Sequence, residues 1–338
     1  MTPAKLWLQI FLAGFAVIVA LLAVTLTTPV PYGDLSRIGL MSDRDFGWKT
    51  TPPHVDPEYL RAVPVTQADI LVIGDSFSMT NRWQSVLTKE GYRVTTIFWG
   101  QLDERICDDL DGWLDLAGFR GKLVILESVE RLLAGRLDNT QTCAHMRVPF
   151  DAKTKPFIEP PAEVPGFALN WNAKLSSGWH TFWNTRRAET TDDDNAISGY
   201  WTKARSVPDG CTMFSNRLCN KALFFGEDDD NGELTPKNAE QMRSITQAHR
   251  SRSIMWMVIP NKTTVYVAPD RSKDFVTALL KDGLGPDLFS FALDEKRKIR
   301  DFFLPNDTHI SMQGQLVLGA RMLEAVRKIL PAPPGKAS

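Results

Sequence analysis

Hydrophobic and polar positions divide this chain into three kinds of stretch. The first is an unbroken apolar run, Leu6 to Leu26, in which only Gln9 and Thr25 carry polar side chains. A helix over that run would span roughly 32 Å, about the hydrocarbon thickness of a bilayer. Lys5 precedes it and no charge follows until Asp34. The positive-inside tendency therefore leaves the N-terminus in the cytoplasm and the rest of the chain across the membrane. A cleaved signal peptide has a shorter apolar region and a small-x-small cleavage site, and no such site lies between Ala20 and Thr28. Residues 1–28 are thus expected to form an uncleaved membrane anchor.

The second kind is a rhythm of short apolar runs and helical periodicities between residues 68 and 330. Ile70-Leu71-Val72-Ile73 runs into Gly74-Asp75-Ser76, and a helix is expected from Met79 to Glu90. A strand at Tyr92–Trp99, a helix at Asp103–Leu116 and a strand at Lys122–Glu127 follow. After a break, the pattern gives a helix at Pro236–His249 and a strand at Ser253–Ile259. Further on it gives a short extended piece at Val265–Val267, a helix at Arg271–Lys281 and a strand at Asp287–Phe291. A charged helix, Leu293–Asp301, and a closing helix, Ser311–Leu330, complete the pattern. All-apolar runs alternating with helices predict an α/β domain with a parallel sheet covered on both faces.

The third kind is irregular. Residues 29–67 are rich in proline and turn formers and read as an extended arm, and residues 331–338 as a disordered tail. The region 139–234 interrupts the rhythm with prolines, Trp171, Trp179, Trp183 and Trp201, and the acidic runs Asp192–Asp194 and Asp228–Asp230. It is too long for a loop in a compact domain and reads as an insertion with structure of its own. Its acidic runs read as solvated loops, and its tryptophans as a small core or a wall for stacking sugar rings.

Composition narrows the function. The 338 residues carry 39 basic and 40 acidic side chains, a formal net charge of −1. With no concentrated positive surface, nucleic-acid binding is not expected. The four cysteines allow three connectivities. Cys211 and Cys219 enclose a short loop and Cys107 and Cys143 form a second possible pair, whereas a reducing compartment would leave four buried thiols. Export across the membrane favours disulfides. No Cys-x-x-Cys pair or histidine cluster suggests a metal, and no cofactor is expected.

Chemistry concentrates at two places. Ser76 follows an apolar strand at its carboxyl end, where open α/β sheets place reactive groups. By itself Gly74-Asp75-Ser76 also fits a serine that caps the next helix. Downstream, Asp307-Thr308-His309 offers a base with an acid two residues away on a loop. A hydroxyl nucleophile needs such a base, and the base needs an acid to fix its tautomer.

With these residues in view, the chain resembles an SGNH-fold hydrolase, and more closely the AlgX/AlgJ family of bacterial polysaccharide O-acetyltransferases. The matching segments are Gly74-Asp75-Ser76-Phe77, Glu127-Ser128-Val129-Glu130-Arg131, Pro260-Asn261-Lys262-Thr263-Thr264-Val265-Tyr266 and Asp307-Thr308-His309. The resemblance implies a three-layer SGNH-like catalytic domain over 68–330 and a triad of Ser76, His309 and Asp307. It further implies acetyl transfer to a cell-envelope or exported polysaccharide. A membrane-bound O-acyltransferase would pass the acetyl groups to a body on the periplasmic side of the bacterial inner membrane.

Two departures from the family are visible. In the alginate enzymes the Asp-x-His element precedes the serine strand, whereas here the serine comes first, as in SGNH esterases. Those esterases also carry an oxyanion-binding Asn after the third strand, where this chain has Glu127. Glu127 or Arg131 could orient the site instead, or form a buried structural pair. The amides of Ser76 and Gly100 are the candidate oxyanion donors. Arg131, Lys262 and Tyr266 are candidate substrate contacts; Lys262 and Tyr266 equally fit plain structural roles. Two other functions stay open, an esterase of the same fold and a non-catalytic polysaccharide-binding scaffold.

Overall fold

Strands form where the apolar runs are too short for a buried helix and both faces are covered. In the computed structural model, which describes residues 2–150, 161, 163–191, 196–198 and 201–333, seven strands occur among the described residues. They are β1 (Ile70–Gly74), β2 (Val94–Phe98), β3 (Leu123–Val129), β4 (Ala196–Ser198), β5 (Thr202–Ser206), β6 (Lys221–Phe225) and β7 (Ser253–Ile259). β1, β2, β3 and β7 make one four-stranded sheet in the order β2-β1-β3-β7, with every pairing parallel. β1 and β3 are buried along their whole length, as expected of strands covered on both faces. The chain passes from β1 to one side and from β3 to the other. The crevice between the carboxyl ends of these two strands is therefore the sheet's topological switch point.

The chain divides into two compact units. The larger holds 52–159, 227–304 and 308–338, and its core gathers Leu71, Ile73, Trp99, Leu126, Trp256 and Phe275 among others. The smaller holds 1–51, 160–226 and 305–307. Its core contains Leu35, Met41, Phe46, Ala188, Ala204 and Leu223. Antiparallel β4, β5 and β6 and the helix Leu175–Thr190 belong to this smaller unit. Trp179, Phe182 and Trp183 of that helix form an aromatic cluster, with Trp179 and Trp183 edge-to-face at 5.6 Å.

The helix Pro3–Leu26 is long and apolar enough to cross a membrane, with a mean hydropathy of 2.5 over its best window. Both disulfides form, Cys107–Cys143 and Cys211–Cys219. Loop-closure entropy gives them about 4 and about 3 kcal/mol respectively.

Several expectations are corrected. Asp287–Phe291 is not a strand: Asp287 Oδ1 accepts the amides of Phe289 and Ser290 and caps a helix, Leu288–Glu295. Val265 lies in the helix Lys262–Tyr266 instead of an extended piece. There Glu130 takes the Asn261 amide and the Thr264 hydroxyl and sets the turn. The helix expected from Asp103 starts only at Leu110, because Asp103 and Glu104 both adopt positive φ. The helix expected from Met79 starts at Gln84, after a turn.

Part of the expected arm is also helical, at Asp34–Gly39 and Asp43–Phe46. Asp228 is no solvated loop residue. It is 1 % exposed and accepts the Thr263 hydroxyl at 2.9 Å. The run Asp192–Asp194 and the tail beyond Pro333 lie outside the described residues.

Asp43 organises the smaller unit. Its carboxylate accepts the Tyr32 and Gly33 amides, the Ser36 hydroxyl and the Asn306 side-chain amide. Burial pushes its pKa up to about 6, against the pull of these four donors. A carboxyl raised in the folded state contributes stability below its unfolded pKa and loses it as pH climbs through 6. Wild type should therefore lose about 1 kcal/mol relative to Asp43→Ala between pH 5 and pH 7. Denaturant melts of both proteins at the two pH values measure this, and parallel pH profiles would count against it.

Candidate functional site

The turn after β1 is built by its own aspartate. Asp75 Oδ1 accepts the Phe77 amide at 3.1 Å and the Asp75 carbonyl accepts the Ser78 amide at 3.0 Å. This Asx-type turn bends the chain sharply enough to leave Ser76 half-exposed while Ile70–Asp75 and Phe77–Met79 are all buried. The turn's carbonyls are taken as well. Gln84 Nε2 donates to Ser78 O at 2.6 Å and Gln315 Nε2 to Phe77 O at 3.4 Å.

Beneath the turn sits an ionic arrangement that the sequence did not announce. Asp75 Oδ2 accepts the Val129 amide at 2.8 Å and an Arg136 Nη1 proton at 3.1 Å. Arg136, 3 % exposed, also donates to Ser128 Oγ and to Glu104. Glu127 Oε2 accepts the Asp75 amide and the Ser78 hydroxyl, both at 2.8 Å. Burial raises the Glu127 pKa well above the ordinary carboxyl value, and the Asp75 charge adds to it. Burial acts in the same sense on Asp75, but the Arg136 guanidinium and the backbone donors outweigh it and hold Asp75 below that range. The Arg136 guanidinium thus meets two carboxylates, Asp75 at 3.1 Å and Glu104 at 2.7 Å. Glu127 clamps the turn from below.

His309 arrives from the far end of the sequence. A short bridge, Phe303 opposite Ile310, with Leu304 N–H donating to His309 O, closes the loop that carries it. Ser311 then caps the helix Met312–Arg327, its Oγ accepting the Gly314 amide. His309 Nε2 lies 2.8 Å from Ser76 Oγ, and the ring packs against Phe77 with centroids 5.0 Å apart. Asp307, 2 % exposed, accepts the Asp34 amide on Oδ2 at 2.8 Å. The arm thus supplies a group that holds Asp307. No pattern in the sequence pointed to Asp34 or to Arg136.

The other candidates fare differently. Gly100 is exposed in the short helical turn Trp99–Leu102 that follows β2. The Arg131 guanidinium is drawn to Asp228 at 3.3 Å and Glu227 at 3.7 Å, and its amide donates to Asn261 Oδ1. Lys262 is 2 % exposed and its Nζ donates to Leu304 O at 2.6 Å. The buried Tyr266 hydroxyl accepts the Phe303 amide, and burial raises its pKa far above the ordinary phenol value. In this structure Arg131 ties the segment after β3 to the one after β7, and Lys262 and Tyr266 tie the latter to Phe303 and Leu304. No family model, curated protein or solved structure matches the chain.

Gly74 marks the tightest packing in the site. A Cβ there would stand 2.6 Å from Ser78 Cβ and 2.8 Å from Glu127 Oε2. Gly74→Ala should cost about 1–3 kcal/mol in thermal or denaturant unfolding. Adding Ser78→Gly removes the nearer obstacle and should recover part of that loss, a coupling that a double-mutant cycle reads directly. Simple additivity would show that the turn is not packed as described.

Proposed function

We propose that the protein is a serine acyl-transfer enzyme of SGNH type that O-acetylates a cell-envelope or exported polysaccharide. The observation that carries this reading is the 2.8 Å approach of His309 Nε2 to the half-exposed Ser76 Oγ at the sheet's switch point. With its proton on Nδ1, His309 accepts the Ser76 proton at Nε2 as Oγ attacks an acetyl ester. Asp307, two residues away and held by the Asp34 amide, is the acid assigned to orient the imidazole. The Ser76 amide donates no hydrogen bond among the described residues and is open to the developing oxyanion. Gly100, at the end of the neighbouring strand, is the second donor in this reading. His309 returns the proton to the leaving oxygen. It next deprotonates the acceptor hydroxyl, which takes the acetyl group from Ser76, and it returns that proton to the departing Ser76 Oγ.

The acceptor class, and a partner membrane-bound O-acyltransferase as acetyl source, come from the resemblance to the polysaccharide O-acetyltransferases. The apolar Pro3–Leu26 helix and the two disulfides support a single-pass anchor with the body in the periplasm. The order of the motifs, serine before Asp-x-His, favours a second reading in which water takes the acetyl group, as in an esterase.

Ser76→Ala should lower turnover of an activated acetyl ester about 10⁴-fold, and His309→Ala similarly. The double variant should be little worse than either, because the groups act as one unit. Wild-type turnover in folded Ser76→Ala would end the enzymatic reading. Given an acetyl donor and oligosaccharides, the enzyme should form acetylated sugar in excess of acetate; acetate alone with every acceptor would leave the esterase.

A further inference from the structure

The smaller unit carries a large apolar cavity that the proposed chemistry does not use. Its volume is about 1120 Å³, just above the usual range for small-molecule sites. Leu21 and Val24, in the last turns of the Pro3–Leu26 helix, form one part of its wall, and Phe167, Trp179 and Phe182 another. The two parts are fastened together: the Asn170 amide donates to Leu26 O at 2.8 Å and its side chain to Pro29 O at 3.3 Å. Trp179 is 63 % exposed, Phe182 61 % and Phe167 85 %. Three large aromatic side chains at that exposure, beside the end of an apolar helix, match the composition of a membrane–water boundary.

The polar side of the cavity is biased towards cations. Arg217 pairs with Asp45 and Glu189, and Arg186 pairs with Glu189, so these acids are already neutralised. Arg44 and Lys49 also line the cavity, are exposed, and have no carboxylate partner among the described residues. An apolar chamber that opens beside a membrane-spanning helix, with two unpaired cations at its polar side, suits one class of molecule. That molecule has acyl chains and an anionic headgroup.

We propose that this cavity binds an anionic phospholipid of the membrane in which the Pro3–Leu26 helix is embedded. Its acyl chains would lie between Val24 and Phe182 and its phosphate at Arg44 and Lys49. The inference rests on the anchor reading of that helix and not on the chemistry at Ser76. Such a lipid would seat the smaller unit on the bilayer surface and fill a chamber that water would occupy poorly.

Native mass spectrometry of the full-length protein, released from detergent micelles containing phosphatidylglycerol or phosphatidylcholine, tests this. One phosphatidylglycerol should be retained per chain, and phosphatidylcholine should not. Arg44→Gln with Lys49→Gln should weaken retention roughly 25-fold, since each basic residue near an anionic surface contributes about a five-fold factor. Phe182→Asp should abolish it. Both variants alter exposed residues, and circular dichroism with thermal unfolding checks that they are folded. Equal retention of both lipids, or of detergent alone, overturns the proposal. Carbonate extraction of membranes tests the anchor separately: release of the protein would remove the anchor reading on which the lipid assignment stands, whatever the lipid result.

Discussion

The larger unit depends on one carboxylate. Asp75 follows β1 directly, receives the Val129 amide at the end of β3, and meets the guanidinium of Arg136 from the following helix. A charge so buried is tolerated only because both of its oxygens accept hydrogen bonds and one of the donors is a guanidinium. In being satisfied, it fixes the separation of two strands and the direction in which the chain leaves the first of them. Ser76 has its exposure because Asp75 has none. Truncating Arg136 alone would leave an uncompensated ion in the core, which explains why so large a side chain is enclosed there.

The smaller unit repeats this logic with a weaker acid. Asp43 gathers donors from Tyr32, Gly33, Ser36 and Asn306, without a cationic partner among these contacts. The Ser36 amide also donates to Asn306 O, so two short helices near the N-terminus grip the turn Asn306–Asp307. Residues that look like a proline-rich connection are there to receive a distant loop. Hydrogen bonding offsets part of what burial costs Asp43, and the remainder is visible as its raised pKa.

What the sequence made legible follows from periodicity. β1, β3 and β7 lie where apolar runs of strand length are bounded by punctuation, and the helices 236–248, 273–281 and 312–327 lie where apolar spacing is helical. Ser76 and His309 were singled out by residue type and position, and the fold brings them within a hydrogen bond. Leu288-Phe289-Ser290-Phe291 is a short, mostly apolar run of strand length, yet Asp287 caps it into a helix, and over so few residues the cap decides. Arg136, Glu127 and Asp34 could not be assigned their contacts from sequence, because each acts through a partner that tertiary structure supplies. Lys262 and Arg131 stood as candidate substrate contacts for the same reason: a long charged side chain carries no local sign of which carbonyl or carboxylate it will meet inside.

The division of the chain into units has a consequence for how the molecule is made. Neither unit is a contiguous piece of sequence: the smaller is assembled from 1–51, 160–226 and 305–307. Contacts that must wait for residues hundreds of positions away make for slow folding, because loop closure comes before its reward. Synthesis delivers Ser76 and its strand early, while β7 and the His309 loop arrive more than 170 residues later. During that interval β3 has an open edge and Asp43 lacks Asn306. A chain emerging in this order stays incomplete and adhesive until residues beyond 300 appear, and it is in this window that a chaperone or a disulfide-forming catalyst would have most to do.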